Sequence, residues 1–392
     1  MKILIYSSKY PPQIGGVENV VYNLSKEFVK SKNTVCVIAP FLLQNESKKM
    51  PLRFLTKGFR LSNRMKKFEQ VYVKEIFMSL PRSFLGFLSF PYRFLFSIIK
   101  TRYFIKKFNP DVINFHFPDD SLYYFYFSTI FLKYPIYINI HGNELHLFSK
   151  NKIYRLFLNK LLSKCSGIVV NSIFMEKELG KIYFGFKDKI NIIRNGIDLD
   201  KFSVKTKVFK NSMSYFLFIG RFDYKKGLDI LIKAYNSISA RVVHSLVIVG
   251  GPSGETKHGS RDIDYYKKLA KSKKIEFTGR VEPGKVIEYY KNAYFSVFPS
   301  RYEPFGIVAL ESLACKTPFI ASSGGFIEIS RRTEGGLVFK TSSVKSLSKL
   351  LLRVDKEPQL RKKLVERAGK NLGDYEWKKI SREYLNIFKP RF

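Results

Sequence analysis

Short apolar runs alternate with longer amphipathic stretches along most of the chain. KILIY, residues 2–6, reads as a buried strand. A loop with Pro11, Pro12, Gly15 and Gly16 follows, then a helix from about Val17 to Lys30. Strand-like runs recur at Thr34 to Ile38, Val71 to Phe77, Asp111 to Phe115, Ile136 to Ile140, Gly167 to Asn171 and Lys189 to Ile193, with helix-compatible stretches between many of them. Alternating β and α segments with apolar strands predict a parallel sheet covered on both faces. The polar, Lys-rich stretch Lys201 to Ser214 interrupts the pattern, which restarts at Tyr215 to Ile219 and again at LVIVGGPSGE, residues 246–255. The reading is therefore α/β with two Rossmann-like parallel-sheet domains, residues 1–200 and 201–374. A C-terminal helical segment, 375–392, ends the chain.

Sheets of this class bind ligands beyond the C-terminal ends of their strands, so the residues there carry the candidate chemistry. The richest such stretch is VFPSRYEPFGIVALESLACKTPFIASSGGFIE, residues 297–328. It reads as a strand ending at Pro299, a loop carrying Glu303, a helix opening near Phe305 and Gly306, a strand at Phe319 to Ala321 and a Gly324-Gly325 turn. A helix N-terminus offers unpaired N–H groups and partial positive charge, so the amides of Phe305, Gly306, Ile307 and Val308 suit a phosphate. Seven residues separate Glu303 from Glu311, which places one acid before the helix and the other within it. Carboxylates accept hydrogen bonds from hydroxyls. Acids on either side of an anion site thus point to a ligand with a diol at each end, such as a nucleotide sugar. Arg221 and Lys226, in GRFDYKKG, sit on another loop between strand and helix, where two cations would neutralise a leaving phosphate. His141, in INIHGNELH, ends a third strand. His146 lies five residues further on, a spacing that does not fit a helical zinc motif.

EPFGIVALE resembles the E-x7-E signature of retaining glycosyltransferases of family 4, whose GT-B fold sets two Rossmann-like domains facing a cleft, with a C-terminal helix crossing back to the first. The resemblance covers nearly the whole chain. It implies that Glu303 contacts donor-sugar hydroxyls, that the amides after it hold the diphosphate and that Glu311 binds the ribose diol. It further implies that Arg221 and Lys226 clamp the diphosphate and that His141 lies beside the donor sugar. Gly15-Gly16 resembles the family's N-terminal glycine loop, facing the acceptor and the donor phosphates. The strand IEFTGRV brings Arg280 and Val281 to the nucleobase, with Gly250 in the donor-binding set. The family transfers sugar with retention and is generally discussed as front-face attack, in which the departing phosphate takes the acceptor proton. No metal or other cofactor is expected, because the sequence has no DxD-type pair placed to hold one on phosphate.

Charge adds a second theme. The net charge is +37, with 31 Lys and Arg against 14 Asp and Glu in residues 1–200, and 38 against 18 in residues 201–392. Both halves therefore attract polyanions, anionic membrane and nucleic acid alike. Residues 53–108 hold thirteen basic residues against Glu69 and Glu75, interleaved with phenylalanines. Within them SFLGFLSFPYRFLFSII, residues 83–99, is interrupted by Pro91 and Arg93 and is too short to span a bilayer. Two readings stand: a segment lying in an anionic membrane interface, or a helix buried in the first domain with a solvated basic face. Three single cysteines in apolar segments fit a reducing compartment, and the N-terminus lacks a signal-peptide pattern. The expectation is a hexosyltransferase using a UDP- or GDP-sugar at the cytoplasmic membrane face, with a glycan or lipid-linked acceptor. The competing class is a non-catalytic polyanion-binding protein on the same fold. It lacks any nucleic-acid-binding signature, so no specific nucleic acid partner is expected.

Overall fold

A computed structural model describes residues 1–8, 10–11, 15–40, 65–68, 71–76, 78, 84–142, 144–145, 151–204, 214–252 and 263–389. The chain divides into two compact units. One comprises Met1–Asn171, Met175–Arg194 and Trp377–Phe392; the other comprises Ser172–Phe174 and Asn195–Glu376. The sequence puts these changes at 200/201 and 374/375. The structure shows why the chain turns where it does: Ile197 bridges to Glu376 and its N–H donates to the Tyr375 carbonyl at 2.7 Å. The outgoing and returning passes are thus paired side by side within the second unit.

The first unit is built on an eight-stranded sheet. Its strands are β1 (Lys2–Ser7), β2 (Thr34–Pro40), β3 (Met65–Phe68), β4 (Val71–Ile76), β5 (Val112–His116), β6 (Ile136–Ile140), β7 (Gly167–Val170) and β8 (Ile190–Ile192). They lie in the order β3-β4-β2-β1-β5-β6-β7-β8. All pairs are parallel except β3 with β4. That antiparallel edge strand adds to the expected parallel sheet; MKKF is polar and short, so it carries little periodic signal. Ile3, Ile5, Val35 and Val37 bury one face against Val20, Leu24 and Phe28 of the helix Gly16–Lys30. The same core takes in Trp377, Ile380, Tyr384 and Phe388 of the last helix, Trp377–Phe388. Their spacing of three and four residues puts these side chains on one helix face.

The second unit carries β9 (Tyr215–Arg221), β10 (Ser245–Gly251), β11 (Ile275–Gly279), β12 (Ala293–Phe298), β13 (Phe319–Ala321) and β14 (Gly336–Val338), all parallel, in the order β11-β10-β9-β12-β13-β14. Alternation along β9 sends Phe216 and Phe218 into one core and Tyr215 and Leu217 into the other, so helices cover both faces. Among the parallel strands of each sheet the order reverses once beside the first strand of that unit, between β1 and β5 and between β9 and β12. Ligands of open α/β sheets bind at such switch points.

The helix Phe84–Phe108 runs through Pro91 without a break. Pro91 and Arg93 interrupt the apolar run without breaking the helix, and Pro91 lies on its exposed side. The rest of the 53–83 stretch falls largely outside the described residues.

Candidate active site

In the second unit the switch point joins three loops. The β9 loop carries Asp223, which caps the turn Tyr224–Lys226 through the Lys225 N–H at 2.7 Å, and Gly227 at φ +66°. A Cβ on Gly227 would lie 2.0 Å from the Pro299 carbonyl, so only glycine lets this loop touch the end of β12. Arg301 fastens the two loops. Its guanidinium binds Asp229 in a fork at 2.8 and 2.7 Å and the Tyr224 carbonyl at 2.8 Å, and its N–H reaches the Lys225 carbonyl at 2.7 Å. This brings Lys226 Nζ to 2.6 Å from Glu303 Oε2, a charge pair in which Glu303 is buried and Lys226 half-buried. The third loop closes from β13: Ser322 and Ser323 both donate to the Ser300 carbonyl, and the Gly325 N–H donates to the Glu303 carbonyl at 2.9 Å.

Directly after Glu303 comes the helix Ile307–Ala314. It opens at Ile307 with Gly306 as its cap, and Phe305 anchors the preceding loop in the core. Gly306 is its N-cap at φ +96°, and no side chain caps this end, so its first N–H groups remain for a ligand. Glu311 is half-buried one turn inside, where the Tyr290 hydroxyl donates to it at 3.1 Å. Burial raises its carboxyl above the ordinary range, against the Tyr290 bond and the charge of Lys201, which lower it. On the other side of β9, Gly250 at φ +140° would put a Cβ 1.9 Å from the Gly220 carbonyl. Arg280 lies against Gly251 and donates to the Pro252 carbonyl, and Val281 packs on the core nearby. Arg221, at the end of β9 opposite Gly251, is exposed. The structure thus gathers Lys226, Glu303, Phe305, Gly306, Ile307 and Val308 at one corner, with Arg221, Gly250, Arg280 and Val281 on the adjoining strand ends.

In the first unit the corresponding strand ends hold His141. Its ring Nε2 is 3.2 Å from Nδ1 of His116, the last residue of β5, and the two rings stack with centroids 5.4 Å apart. Glu144, fully buried, accepts from the N–H groups of His141 at 2.9 Å and Gly142 at 2.7 Å, which fixes the turn after β6. Desolvation pushes its carboxyl up to about 7 against those two bonds, and pulls the His141 imidazole down to about 4. Burial also holds His116 well below the ordinary imidazole range. Gly15 lies under the Glu18 carboxylate, whose Oε2 would be 2.3 Å from a Cβ there, while nothing lies within 4 Å of that point on Gly16. His146 lies outside the described residues.

Sequence reading missed Arg301, Asp229, Glu144 and His116. Arg301 and Glu144 stand within three residues of motif positions, which is the signal that points to them. Asp229, three residues from Lys226, shares that signal, whereas His116 carries none, because its role depends on pairing distant in sequence.

Comparison with known proteins is consistent across the chain. Residues 14–201 match the family described as Glycosyltransferase Family 4, and residues 201–371 match Glycosyl transferases group 1. An uncharacterized glycosyltransferase of Methanocaldococcus jannaschii is 28% identical over 99% of this chain and 98% of its own length. Among solved structures, sucrose-phosphate synthase from Thermosynechococcus elongatus superposes with a TM-score of 0.77 at 18% identity, covering 99% of this chain and 98% of that one. Anabaena HepE in complex with UDP-glucose gives 0.72 at 17% identity, covering 98% of each. These likenesses show a shared fold.

Proposed function

The chain belongs to glycosyltransferase family 4 and has the GT-B fold. From that premise we propose that it moves a hexose from a UDP- or GDP-sugar, with retention, to a glycan or lipid-linked acceptor. The observation that carries this is the corner where the Lys226–Glu303 pair meets the uncapped helix end at Gly306. Phosphate and sugar are adjacent in a nucleotide sugar, as the cation and the hydroxyl-binding acid are adjacent here. Glu311 on the same helix then takes the ribose diol, and Arg280 with Val281 take the base. In the reaction the bond from the sugar C1 to the phosphate oxygen breaks, the acceptor oxygen bonds to C1 on the same face, and its proton passes to the departing phosphate. Arg221, Lys226 and the helix N-terminus neutralise the charge that develops there, so the reading calls for no metal. Glu303 positions the sugar, and His141 donates to a substrate oxygen.

A peripheral site at an anionic membrane face fits a lipid-linked acceptor, and the helix Phe84–Phe108 supports it. Leu88, Tyr92, Leu95, Ile99 and Tyr103, spaced four, three, four and four, are all more than half exposed, while Ser97, Thr101 and Ile105 face inward. An apolar row therefore lies on the exposed side of this helix, besides the one that packs inward. Lys100 and Arg102 sit over the rings of Phe96 and Phe131, Lys106 and Lys107 close the helix, and it carries no acid. Apolar rings with flanking cations suit the headgroup boundary. Among the described residues no helix is long and apolar enough to cross a membrane.

The test is saturation-transfer NMR against UDP-, GDP- and ADP-sugars without metal, repeated with Glu311→Ala and with neutral or anionic vesicles present. One nucleotide is expected to bind, the ribose protons of that donor should no longer be saturated by the variant, and anionic vesicles are expected to sediment the protein. Absence of binding to any donor would overturn the donor assignment; protein that stays soluble with both vesicle types would remove the membrane from the proposal.

A further inference from the structure

We infer that His141 works as a neutral hydrogen-bond donor through its Nδ1–H, and that Asn114, His116, Asn139 and Tyr384 are positioning residues that impose this direction. The inference rests on the proposed role of His141 toward substrate, and it deepens that role.

The four groups form one buried chain. The Tyr384 hydroxyl lies 2.8 Å from Asn139 Oδ1, and Asn139 Nδ2 reaches both Asn114 Oδ1 and the Phe115 carbonyl, the latter at 3.2 Å. Asn114 Nδ2 lies 2.8 Å from His116 Nε2, and His116 Nδ1 lies 3.2 Å from His141 Nε2. Asn114 and His116 are fully buried, and Asn139 and Tyr384 nearly so. The sheet assembles them: Asn114 and His116 alternate onto one face of β5, and Asn139 stands opposite His116 in register on β6. The last helix brings Tyr384 to the same face.

The direction of the chain follows from one fixed group. The Phe115 carbonyl only accepts, so the Asn139 atom facing it is the amide nitrogen and the Asn139 oxygen turns to Tyr384. The Asn114 atom meeting that nitrogen is then its oxygen, and its own nitrogen donates to His116 Nε2. A neutral His116 whose Nε2 accepts carries its proton on Nδ1 and donates to His141 Nε2. His141 therefore holds its proton on Nδ1. Protonating Nε2 as well would set two N–H groups against each other in a buried site, which agrees with the depressed basicity of both rings. In this arrangement His141 donates to an oxygen and does not serve as a base. Tyr384 ties the direction to the last helix, so the returning C-terminal segment takes part in setting a donor more than two hundred residues earlier in the chain.

The test uses the full-length protein labelled with 15N-histidine, whose five histidines are assigned by single substitution at His146, His244 and His258. Long-range 15N–1H spectra of the wild type are expected to show Nδ1–H and a bare Nε2 for both His116 and His141. His116→Leu removes the imposed donor, and the His141 proton should redistribute toward Nε2. His116→Asn keeps an N–H donor where Nδ1 stood and should retain the wild-type tautomer. In transfer assays His116→Leu should lower kcat about tenfold or more, with donor affinity unchanged, and His116→Asn should restore much of it. An Nε2–H His141 in the wild type, or an unmoved tautomer in His116→Leu, overturns the inference. Spectra as expected with no transfer by the wild type would support the tautomer assignment and count instead against the proposed reaction.

Discussion

The two candidate corners occupy the same place in their sheets and are built by different means. In the second unit the backbone does the work: Gly227, Gly250, Gly306 and Gly324 each adopt positive φ, and at each a side chain would strike backbone or a ring. Loops are thereby drawn close enough for Lys226 to meet Glu303. In the described part of the first corner a single glycine, Gly142 at φ +121°, adopts such a backbone, against four in the second. His141 is held instead by side-chain hydrogen bonds that run inward through two strands to the last helix. A corner made of close backbone approaches tolerates almost no added volume, whereas a corner made of hydrogen bonds tolerates isosteric change as long as donors and acceptors still match.

That difference is broken most forcefully at Gly306. Alanine there must hold φ +96° and place its Cβ 2.2 Å from the Phe326 ring, which itself stacks on Phe298. Backbone strain and overpacking together are expected to lower stability by about 2–4 kcal/mol in urea unfolding and to abolish nucleotide binding. A loss below about 1 kcal/mol would mean the loop relaxes freely and the backbone account of this corner is wrong. Lys226→Met is the next step down. It leaves the buried Glu303 carboxylate without its cation, at about 1–3 kcal/mol. If Lys226 stabilises the leaving phosphate, turnover should fall about 10²- to 10³-fold while donor affinity falls far less. Equal loss in both would make Lys226 a binding residue only.

The same contrast explains what the sequence revealed. Glycines at strand ends, Glu303 and Glu311 with seven residues between them and Lys226 beside Gly227 are local signals, and each falls on the loop, helix or strand end where it was expected. The strands were legible because β1, β2, β5 and β6 are short apolar runs; β3 was not, because MKKF is neither apolar nor alternating enough. The relay was illegible for a different reason. Asn114, His116, Asn139 and Tyr384 look like isolated polar residues in apolar stretches, and only strand register and the return of the last helix bring them together. The helix Phe84–Phe108 is an intermediate case. Its mixture of cations and aromatic rings was plain, but which face would be solvated depended on packing against its neighbour, where Phe94 meets Tyr124 and Phe127.

The most gradual effect, spread over more than two pH units rather than set by one structural break, is the pH dependence of the first corner through Glu144. Its folded carboxyl sits at about 7 against 4.5 for an ordinary one, so between those values the folded chain keeps a proton that the unfolded chain releases. Its contribution to stability is full below about 4.5 and is lost as pH rises through 7. His141 works in the opposite sense: with its folded value near 4 against 6.5, its contribution is full above 6.5 and is lost as pH falls through 4. His116 adds to the His141 side. Glu144→Gln removes the titration; it also turns an amide N–H toward one of the two backbone N–H groups that the carboxylate accepts from, a cost that does not change with pH. The wild type should therefore lose stability relative to the variant as pH rises from 4.5 to 7, by at most about 1.4 kcal/mol per pH unit, read from urea midpoints at half-unit steps. Parallel curves would mean that the His141 and Gly142 N–H groups outweigh desolvation and keep Glu144 ionised throughout. The first corner would then be held by a charged group as the second is, and the contrast between them would narrow to the glycines.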